Sequence, residues 1–354
     1  MTAPSIFRPG QIKRATDGPL VSIVTPFFNT ADYLDECIES VRGQTYANWE
    51  YILADNCSTD NSAHIVEKHA ASDKRIRLVR ETDFLGQTEN YNRALRYISP
   101  RSTYCKIVQA DDWIYPRCLE EMVEVAESGH NVGVVSSFTL YGDHAGHGGL
   151  PLDEGPVYPG REAGRAFLLK GKSLFGSPTC VMYLSDAVRS RGPFFSTTTR
   201  YFEDTEACLD ILRDHEFGFV PQVLSFNRRD NDSIWSGLEQ YNPYILHELM
   251  LLHLFGRHFL DRAEFARRLR QVEGVYYDLL ARAALNHYGK DFWAFHLQGL
   301  ASIGQKIDRG KVVARTLPIM AHSLLKPHQA VRALWRGCVG VRDKGRLEKD
   351  EGRV

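Results

Sequence analysis

The sequence predicts an α/β protein in which a mostly parallel sheet is flanked by helices. Short apolar runs alternate with amphipathic helical patterns through the first half of the chain, as in right-handed strand–helix–strand units. Three of these runs pass directly into polar side chains, in the segments VSIVTPFFN, YILADNCSTDN and KIVQADDW. Because the carboxyl ends of parallel strands share one edge of a sheet, we expect these polar ends to converge on one crevice.

The elements follow from β-branched and apolar runs for strands, and from apolar positions at helical spacing for helices. The predicted strands cover 21–25, 49–54, 76–80, 105–110, 132–137, 178–184 and 217–227. The predicted helices cover a segment that stops at Gly43, then 61–72, 88–98, 117–127, 161–170 and a segment that begins near Glu203. Residues 141–160 are rich in Gly, His, Asp and Pro, so we expect a loop there.

Beyond Leu238 the pattern is helical, with apolar residues recurring every three or four positions. We therefore expect a flexible leader at 1–18, an α/β domain at 19–237 and a helical C-terminal region at 238–354. The tail at 311–346 mixes apolar and basic residues, which suits either the surface of an anionic membrane or a helical lid. Pro318 and Pro327 are expected to divide this tail into short helices.

Bulk composition excludes several classes of protein. The net charge of −1 over 354 residues offers no general attraction for nucleic acid. The seven cysteines are odd in number and lack CxxC spacing, which argues against a disulfide framework or a zinc site and favours the reducing cytoplasm. No run of about 18 apolar residues is present, so no membrane-spanning helix is predicted.

Aspartates stand at two of the three polar strand ends, Asp55 at one and the pair Asp111 and Asp112 at the other. An acidic cluster at this edge suits a divalent cation, and the cation suits a diphosphate. Two simpler interpretations stay open: the pair caps the following helix, and Asp55 begins an Asx-turn.

These features recur together in one known family. They are Thr25-Pro26-Phe27-Phe28-Asn29, Gln44-Thr45-Tyr46, Asp55 with Ser58-Thr59-Asp60, Asn92, Asp111-Asp112 and Glu203-Asp204. In their order and spacing, residues 19–235 resemble the inverting nucleotide-sugar glycosyltransferases of family 2, which have the GT-A fold. The resemblance implies transfer of a sugar to a hydroxyl group, with a saccharide or lipid-linked saccharide as acceptor, in surface polysaccharide or glycoconjugate synthesis.

The resemblance also implies roles for individual residues. Asp112 would hold Mn²⁺ or Mg²⁺, and Asp111 would contact the ribose or the water on the metal. Asp55 would accept a hydrogen bond from the imide of the base, which favours a UDP- or dTDP-linked donor. The rest of the expected donor site consists of Thr25, Pro26, Phe27, Asn29, Arg80 and Asn92.

Asp204 is the candidate base for the acceptor hydroxyl, with Glu203 beside it. At the start of a helix, its pKa is expected to be lowered; the alternative is an acid that only caps the helix. Gly176-Ser177-Pro178 is expected to shape the acceptor pocket, and Arg228 and Arg229 are candidate phosphate contacts.

The chain departs from the family at two positions, since Gln109 replaces a frequent acid and Asp230 a frequent histidine. These departures keep a catalytically degenerate nucleotide-sugar-binding protein open as an alternative. A sugar-phosphate nucleotidyltransferase is a second alternative, although the glycine-rich phosphate loop usual near its first strand is missing here.

Overall fold

The computed structural model describes residues 18–146, 155–170, 174–197, 202–228 and 237–325. Within them the chain forms one sheet of ten strands. The strands are β1 (Val21–Phe27), β2 (Trp49–Asp55), β3 (Ile76–Arg80), β4 (Tyr104–Ile107), β5 (Trp113–Ile114), β6 (Val132–Tyr141), β7 (His144–Gly146), β8 (Val157–Tyr158), β9 (Val181–Leu184) and β10 (Glu216–Asn227).

The helices of the same ranges flank and follow this sheet. They are α1 (Ala31–Arg42), α2 (Ser62–Ser72), α3 (Gln87–Leu95), α4 (Cys118–Ser128), α5 (Gly160–Lys170), α6 (Ser185–Arg189), α7 (Glu203–Ile211), α8 (Pro243–Phe259), α9 (Arg262–Leu285), α10 (Lys290–Ser302) and α11 (Arg309–Leu325). The α/β fold class is therefore confirmed, and most predicted elements are found within a few residues of their expected bounds.

The sheet is more mixed than the alternation of strands and helices predicts. Its order is β3-β2-β1-β4-β9-β6-β10-β5, with β7 beside β6 and β8 beside β10. The first four strands are mutually parallel, as are β6 and β10, but β9 lies antiparallel to both of its neighbours. The periodicity of apolar residues indicates that a segment is a strand, but it does not indicate which strand is its neighbour. The direction of β9 could therefore not be predicted from periodicity.

The described parts of 141–160 correct the expectation of a loop. Residues 144–146 and 157–158 are strands, because they pair antiparallel with the edges of β6 and β10. Conversely, the strand predicted at 105–110 ends at Ile107. The chain turns there, with the amide of Asp112 donating to the carbonyl of Gln109, and this turn carries the acid pair.

The core lies between the sheet and its helices. All seven residues of β1 are buried, and α1 places Leu34, Cys37, Ile38 and Val41 against the sheet. Gln44, next to the end of α1, donates to the carbonyl of Tyr115 at 2.8 Å and accepts from the amide of Leu119 at 3.0 Å. This side chain thereby ties α1 to the loop that follows the acid pair.

The chain divides into two compact units. The first contains the residues up to Pro243 together with Met250–Arg268, and the second contains Tyr244–Leu249 and the residues from Leu269 onward. The α/β sheet belongs to the first unit. Since α8 contributes to both units, the expected domain boundary near residue 237 stays a prediction.

In the second unit, α11 is attached to α9 by two ion pairs. Lys311 meets Glu273 at 2.8 Å and Arg315 meets Asp278 at 3.1 Å. The expectation that Pro318 breaks this segment is wrong, because α11 runs continuously through it. Pro318 lies on the exposed side of α11, where the lost backbone hydrogen bond costs least because water can take its place.

Some sequence expectations lie outside the described residues. They are the leader up to residue 17, Arg229, Asp230, Pro327, Cys338 and the rest of the tail beyond residue 325. Within the described ranges, every helix is too short or too polar to cross a lipid bilayer.

Candidate active site

The acid pair lies in the turn between β4 and β5. Strand β5 pairs antiparallel with the end of β10, so this turn meets the last residues of β10. Asp112 is only 3% exposed. Its Oδ2 accepts from the hydroxyl of Thr179 at 2.6 Å and from the side-chain amide of Asn227, while its Oδ1 accepts from the backbone amide of Arg228 at 3.1 Å.

The environment of Asp112 disfavours its negative charge. Burial, and then the charge of Asp111, raise the pKa of Asp112 to about 8, even though the hydrogen bond from Thr179 and the amide of Arg228 act in the opposite direction. A cation placed beside the pair would reverse this effect, since a nearby positive charge stabilises the ionised form.

The acid pair fits a divalent cation of the kind that accompanies phosphates. Such a cation is commonly bound by one or two carboxylates, with substrate phosphates and water supplying the other ligands. In the part of the chain that the structure describes, no three His, Cys, Asp or Glu side chains gather as a ready-made cation site. The two adjacent carboxyl groups offer hard oxygen atoms of the type that Mn²⁺ and Mg²⁺ prefer.

Arg228 contacts the acid turn and helix α1. Its Nε donates to the carbonyl of Asp111 at 3.1 Å, its guanidinium pairs with Glu36 at 2.6 Å, and it lies 4.8 Å from the centre of the Tyr33 ring. These contacts hold the guanidinium beside the acid turn. The proposed contact with phosphate stays a prediction.

The loops after β1 and β2 form the second part of the site. Asp55 is 4% exposed, and its Oδ1 accepts from the backbone amide of Ser58 at 2.8 Å, which is the Asx-turn left open by the sequence. A carboxylate has about four acceptor positions, so this bond leaves capacity for another donor. Asn29, with a left-handed φ of 50°, accepts from the amide of Thr59 at 2.8 Å and so fastens the two loops together.

The side chains of Thr25, Pro26 and Phe27 belong to the core and do not line a surface. Thr25 donates from its hydroxyl to the carbonyl of Val108 at 2.6 Å, and Phe27 is 2% exposed. Their effect on a ligand would therefore pass through the backbone that they fix. This is a narrower role than the sequence suggested.

Two aromatic rings that are exposed stand at the same sheet edge. Phe28, 41% exposed, meets Phe84, 62% exposed, with ring centres 4.9 Å apart. The loop that carries Phe84 is held by the side chain of Asn56, which exchanges two hydrogen bonds with the backbone of Leu85. Sequence reasoning missed Phe84, although a lone phenylalanine in a polar loop was a visible signal.

Two further predicted donor residues have identified contacts. Arg80 lies opposite Asp55 in the pairing of β3 with β2, and its guanidinium forms an exposed ion pair with Glu67 at 2.6 Å. Asn92 is buried and exchanges two hydrogen bonds of 2.8 Å with the backbone of Phe195. Asn92 thus fixes the backbone at Phe195, in the segment between α6 and α7.

The candidate base lies in the first turn of α7. Burial, and then the charge of Glu203, raise the pKa of Asp204 to about 7. The expected lowering by the helix terminus is therefore wrong in direction, because loss of water outweighs the favourable backbone amide of Thr205. Beside it, Glu203 accepts from the hydroxyl of Thr88 at 2.9 Å, and its other carboxylate oxygen is buried with no hydrogen-bond donor among the described residues.

Two partly buried tyrosines lie near both the acid pair and the acids at the start of α7. Burial raises the pKa of Tyr141, and so do the charges of Asp204 and Asp112. Burial also raises the pKa of Tyr91, with further contributions from the charges of Asp111 and Glu203. Electrostatic effects of this kind require proximity. Sequence reasoning named neither phenol as part of the site.

Comparison with known proteins finds a family model and several curated relatives that the chain resembles. Residues 22–192 match the model described as glycosyl transferase family 2. TuaG of Bacillus subtilis, named for teichuronic acid biosynthesis, is 33% identical over 136 residues, which are 38% of this chain and 52% of that protein. The chain spans 13% and 42% of the length of two other curated relatives.

Solved structures confirm the fold. TarS of S. aureus in complex with UDP-GlcNAc matches with a TM-score of 0.61 at 14% identity, over 84% of this chain and 89% of that one. The mannosyltransferase PcManGT of Pyrobaculum calidifontis, in complex with GDP-Man and Mn²⁺, matches with a TM-score of 0.50 at 17% identity, over 85% and 88%. The α/β unit is thus of the GT-A type, and residues 22–192 match glycosyl transferase family 2.

Proposed function

We propose that the protein is a divalent-cation-dependent, inverting glycosyltransferase. It moves one sugar from a nucleoside diphosphate donor to a hydroxyl acceptor, in the synthesis of a surface polysaccharide or glycoconjugate. The observation that carries this proposal is the proximity of Asp112, which lies in the turn after β4, to Asp204 in the first turn of α7, since the charges of both raise the pKa of Tyr141. The name of TuaG and the complexes of TarS and PcManGT support the direction of the assignment.

At the donor side, Asp112 and Asp111 would hold Mn²⁺ or Mg²⁺. When bound, the cation would offset the negative charge of the diphosphate leaving group. Asp55 would accept the imide hydrogen of a uracil or thymine base, which favours UDP- or dTDP-linked sugars. Phe28 and Phe84 offer exposed rings at the same edge, suited to contact with a planar base.

At the acceptor side, Asp204 would take the proton of the attacking hydroxyl. A base is most effective when its pKa lies near the working pH, and the pKa of about 7 meets that condition. The oxygen of the acceptor then bonds to the anomeric carbon as the bond to the diphosphate breaks. One displacement of this type inverts the anomeric configuration and needs no covalent enzyme nucleophile.

A panel of nucleotide sugars with Mn²⁺ tests the proposal. We expect a UDP- or dTDP-sugar to raise the melting temperature, since a ligand that binds only the folded state stabilises it. With a suitable acceptor, the same donor should release nucleoside diphosphate. Stabilisation without any transfer or hydrolysis would favour the degenerate binding protein, whereas release of pyrophosphate from a nucleoside triphosphate and a sugar phosphate would indicate the nucleotidyltransferase.

We also propose that the protein works in the cytoplasm at the face of a membrane, where lipid-linked acceptors are found. The described cysteines are free thiols, which fits a reducing compartment. Helix α11 contains no acidic residue and exposes Val313, Leu317 and Met320 at positions i, i+4 and i+7. An apolar stripe on a basic helix suits an anionic lipid surface.

Sedimentation with vesicles containing phosphatidylglycerol checks this contact. We expect binding at low salt that weakens as salt screens the attraction. Leu317→Glu should abolish it, while Leu297→Glu, at an exposed leucine outside the stripe, should not. Equal behaviour of the two variants, or a protein that ignores the vesicles, would instead leave α11 as a lid or an oligomer contact.

A further inference from the structure

Thr179 links the acid pair to the neighbouring strand β9. It lies in the 3-10 turn Pro178–Cys180, directly before β9, and is fully buried. Its hydroxyl accepts from the backbone amide of Gln109 at 3.1 Å and donates to Oδ2 of Asp112 at 2.6 Å. One hydroxyl therefore bridges the turn that carries the acids and the strand that enters beside it.

A buried lysine fixes this turn from the sheet side. Lys106 of β4 is fully buried, and its ammonium donates to the carbonyl of Thr179 at 2.7 Å and lies 3.4 Å from that of Val181. Among the described residues it forms no ion pair with a carboxylate. A buried charge is costly unless it is hydrogen-bonded. Moving these carbonyls away would leave the buried ammonium of Lys106 without its hydrogen bonds, so Lys106 stabilises the position of the turn.

The hydrogen bonds to Asp112 are distributed unequally between its oxygens. Within the described ranges, Oδ2 accepts two donors, from Thr179 and Asn227, whereas Oδ1 accepts only the backbone amide of Arg228. Each carboxylate oxygen has two acceptor positions. Both acceptor positions of Oδ2 are therefore occupied, whereas Oδ1 has one position left that a cation could use.

We propose that Thr179 is a positioning residue for Asp112: it occupies Oδ2, fixes the rotation of the carboxylate and leaves Oδ1 for the cation. Lys106 acts one step further away, by fixing the turn that carries Thr179. This inference rests on the proposed function, because it assigns the role of Asp112 in donor binding. It adds a residue that contacts neither donor nor acceptor.

Isosteric substitution separates this role from packing. Thr179→Val keeps the shape and removes the hydroxyl, Thr179→Ser keeps the hydroxyl, and Ser185→Ala removes another buried hydroxyl, bonded to Ser102 at 2.9 Å. UDP binding is measured by calorimetry with Mn²⁺ and with EDTA. Supporting groups around a metal ligand typically contribute about 10- to 100-fold to metal affinity. We expect Thr179→Val to lose that factor with Mn²⁺ only, and Thr179→Ser and Ser185→Ala to stay near wild type.

Kinetics add a second readout. Thr179→Val should raise the Mn²⁺ concentration for half-maximal transfer, and excess Mn²⁺ should restore most of kcat. Lys106→Met should show the same pattern if it folds; if it does not, the Thr179 variants alone decide. Unchanged Mn²⁺-dependent binding in Thr179→Val, equal losses in the valine and serine variants, or an equal loss in EDTA would overturn the inference. A wild-type protein whose UDP binding ignores Mn²⁺ would overturn the proposed cation dependence itself.

Discussion

Asp204→Asn is expected to slow sugar transfer by roughly 10²- to 10⁴-fold, the usual contribution of a positioned base. Asparagine has nearly the same shape but cannot accept the proton of the acceptor hydroxyl. Donor binding should be unchanged, because Asp204 is assigned to the acceptor side. Steady-state kinetics with the donor found in the panel, together with calorimetry for donor affinity, measure the two effects separately.

Asp210→Asn is the matched control, since Asp210 lies on the same helix and pairs with Arg191 at 2.7 Å. It should transfer sugar at nearly the wild-type rate. If Asp204→Asn also stays within a few-fold of wild type, the base lies elsewhere, and Glu203 becomes the first replacement candidate.

The same carboxyl group predicts the dependence on pH. Burial and then Glu203 raise its pKa to about 7 from an ordinary value of 3.8. The wild-type rate should therefore fall as the pH drops below about 7, because the base becomes protonated. For stability the sign is opposite: the contribution of protonated Asp204 is complete below about pH 4 and is lost as the pH rises through 7. Asp204→Asn, which stays neutral, should lack that loss.

Asp112→Ala is expected to weaken Mn²⁺-dependent nucleotide binding by roughly 10²-fold or more. Removal of a buried, hydrogen-bonded partner of a charge typically costs several kcal/mol, and each 1.4 kcal/mol is tenfold in affinity. Calorimetry with UDP, in Mn²⁺ and in EDTA, measures the effect. The loss should exceed that of Thr179→Val, because it removes the ligand itself.

Asp186→Ala serves as control for this experiment, since the side chain of Asp186 is 82% exposed and pairs with Arg189. Its affinity should match wild type under both conditions. An unchanged affinity in Asp112→Ala would contradict the assignment of Asp112 as cation ligand and would make Asp111 the next residue to replace.

Much of the fold could be predicted from the sequence because local patterns determine its elements. Strand β3 has the bounds that its apolar run predicts, and α1 ends at Arg42, just before Gly43. Strand pairing could not be predicted in the same way, because it depends on contacts between distant segments. Antiparallel β9 in a mostly parallel neighbourhood is the result of such contacts.

The site was partly predictable for a related reason. Acids that follow apolar runs are visible in the sequence, so the positions of Asp55, Asp111 and Asp112 at strand ends were predictable, while their roles stay predictions. Burial is not visible in the same way, and this explains the wrong direction for the pKa of Asp204. Burial also explains why the hydrogen bonds of Asn92 were not predicted. This side chain was expected in the donor site, and it bonds to the backbone of Phe195.

The reversed direction of β9 enlarges the set of chain segments that can contribute to the candidate site. Val181, at the start of β9, lies near the end of β4, since Lys106 pairs with Met182 and Tyr104 with Leu184. Residues just before β9 therefore contact residues just after β4, as Thr179 contacts Gln109. An edge built this way includes residues that precede β9 as well as residues that follow its neighbouring strands, so a search limited to the carboxyl ends of strands would overlook Thr179.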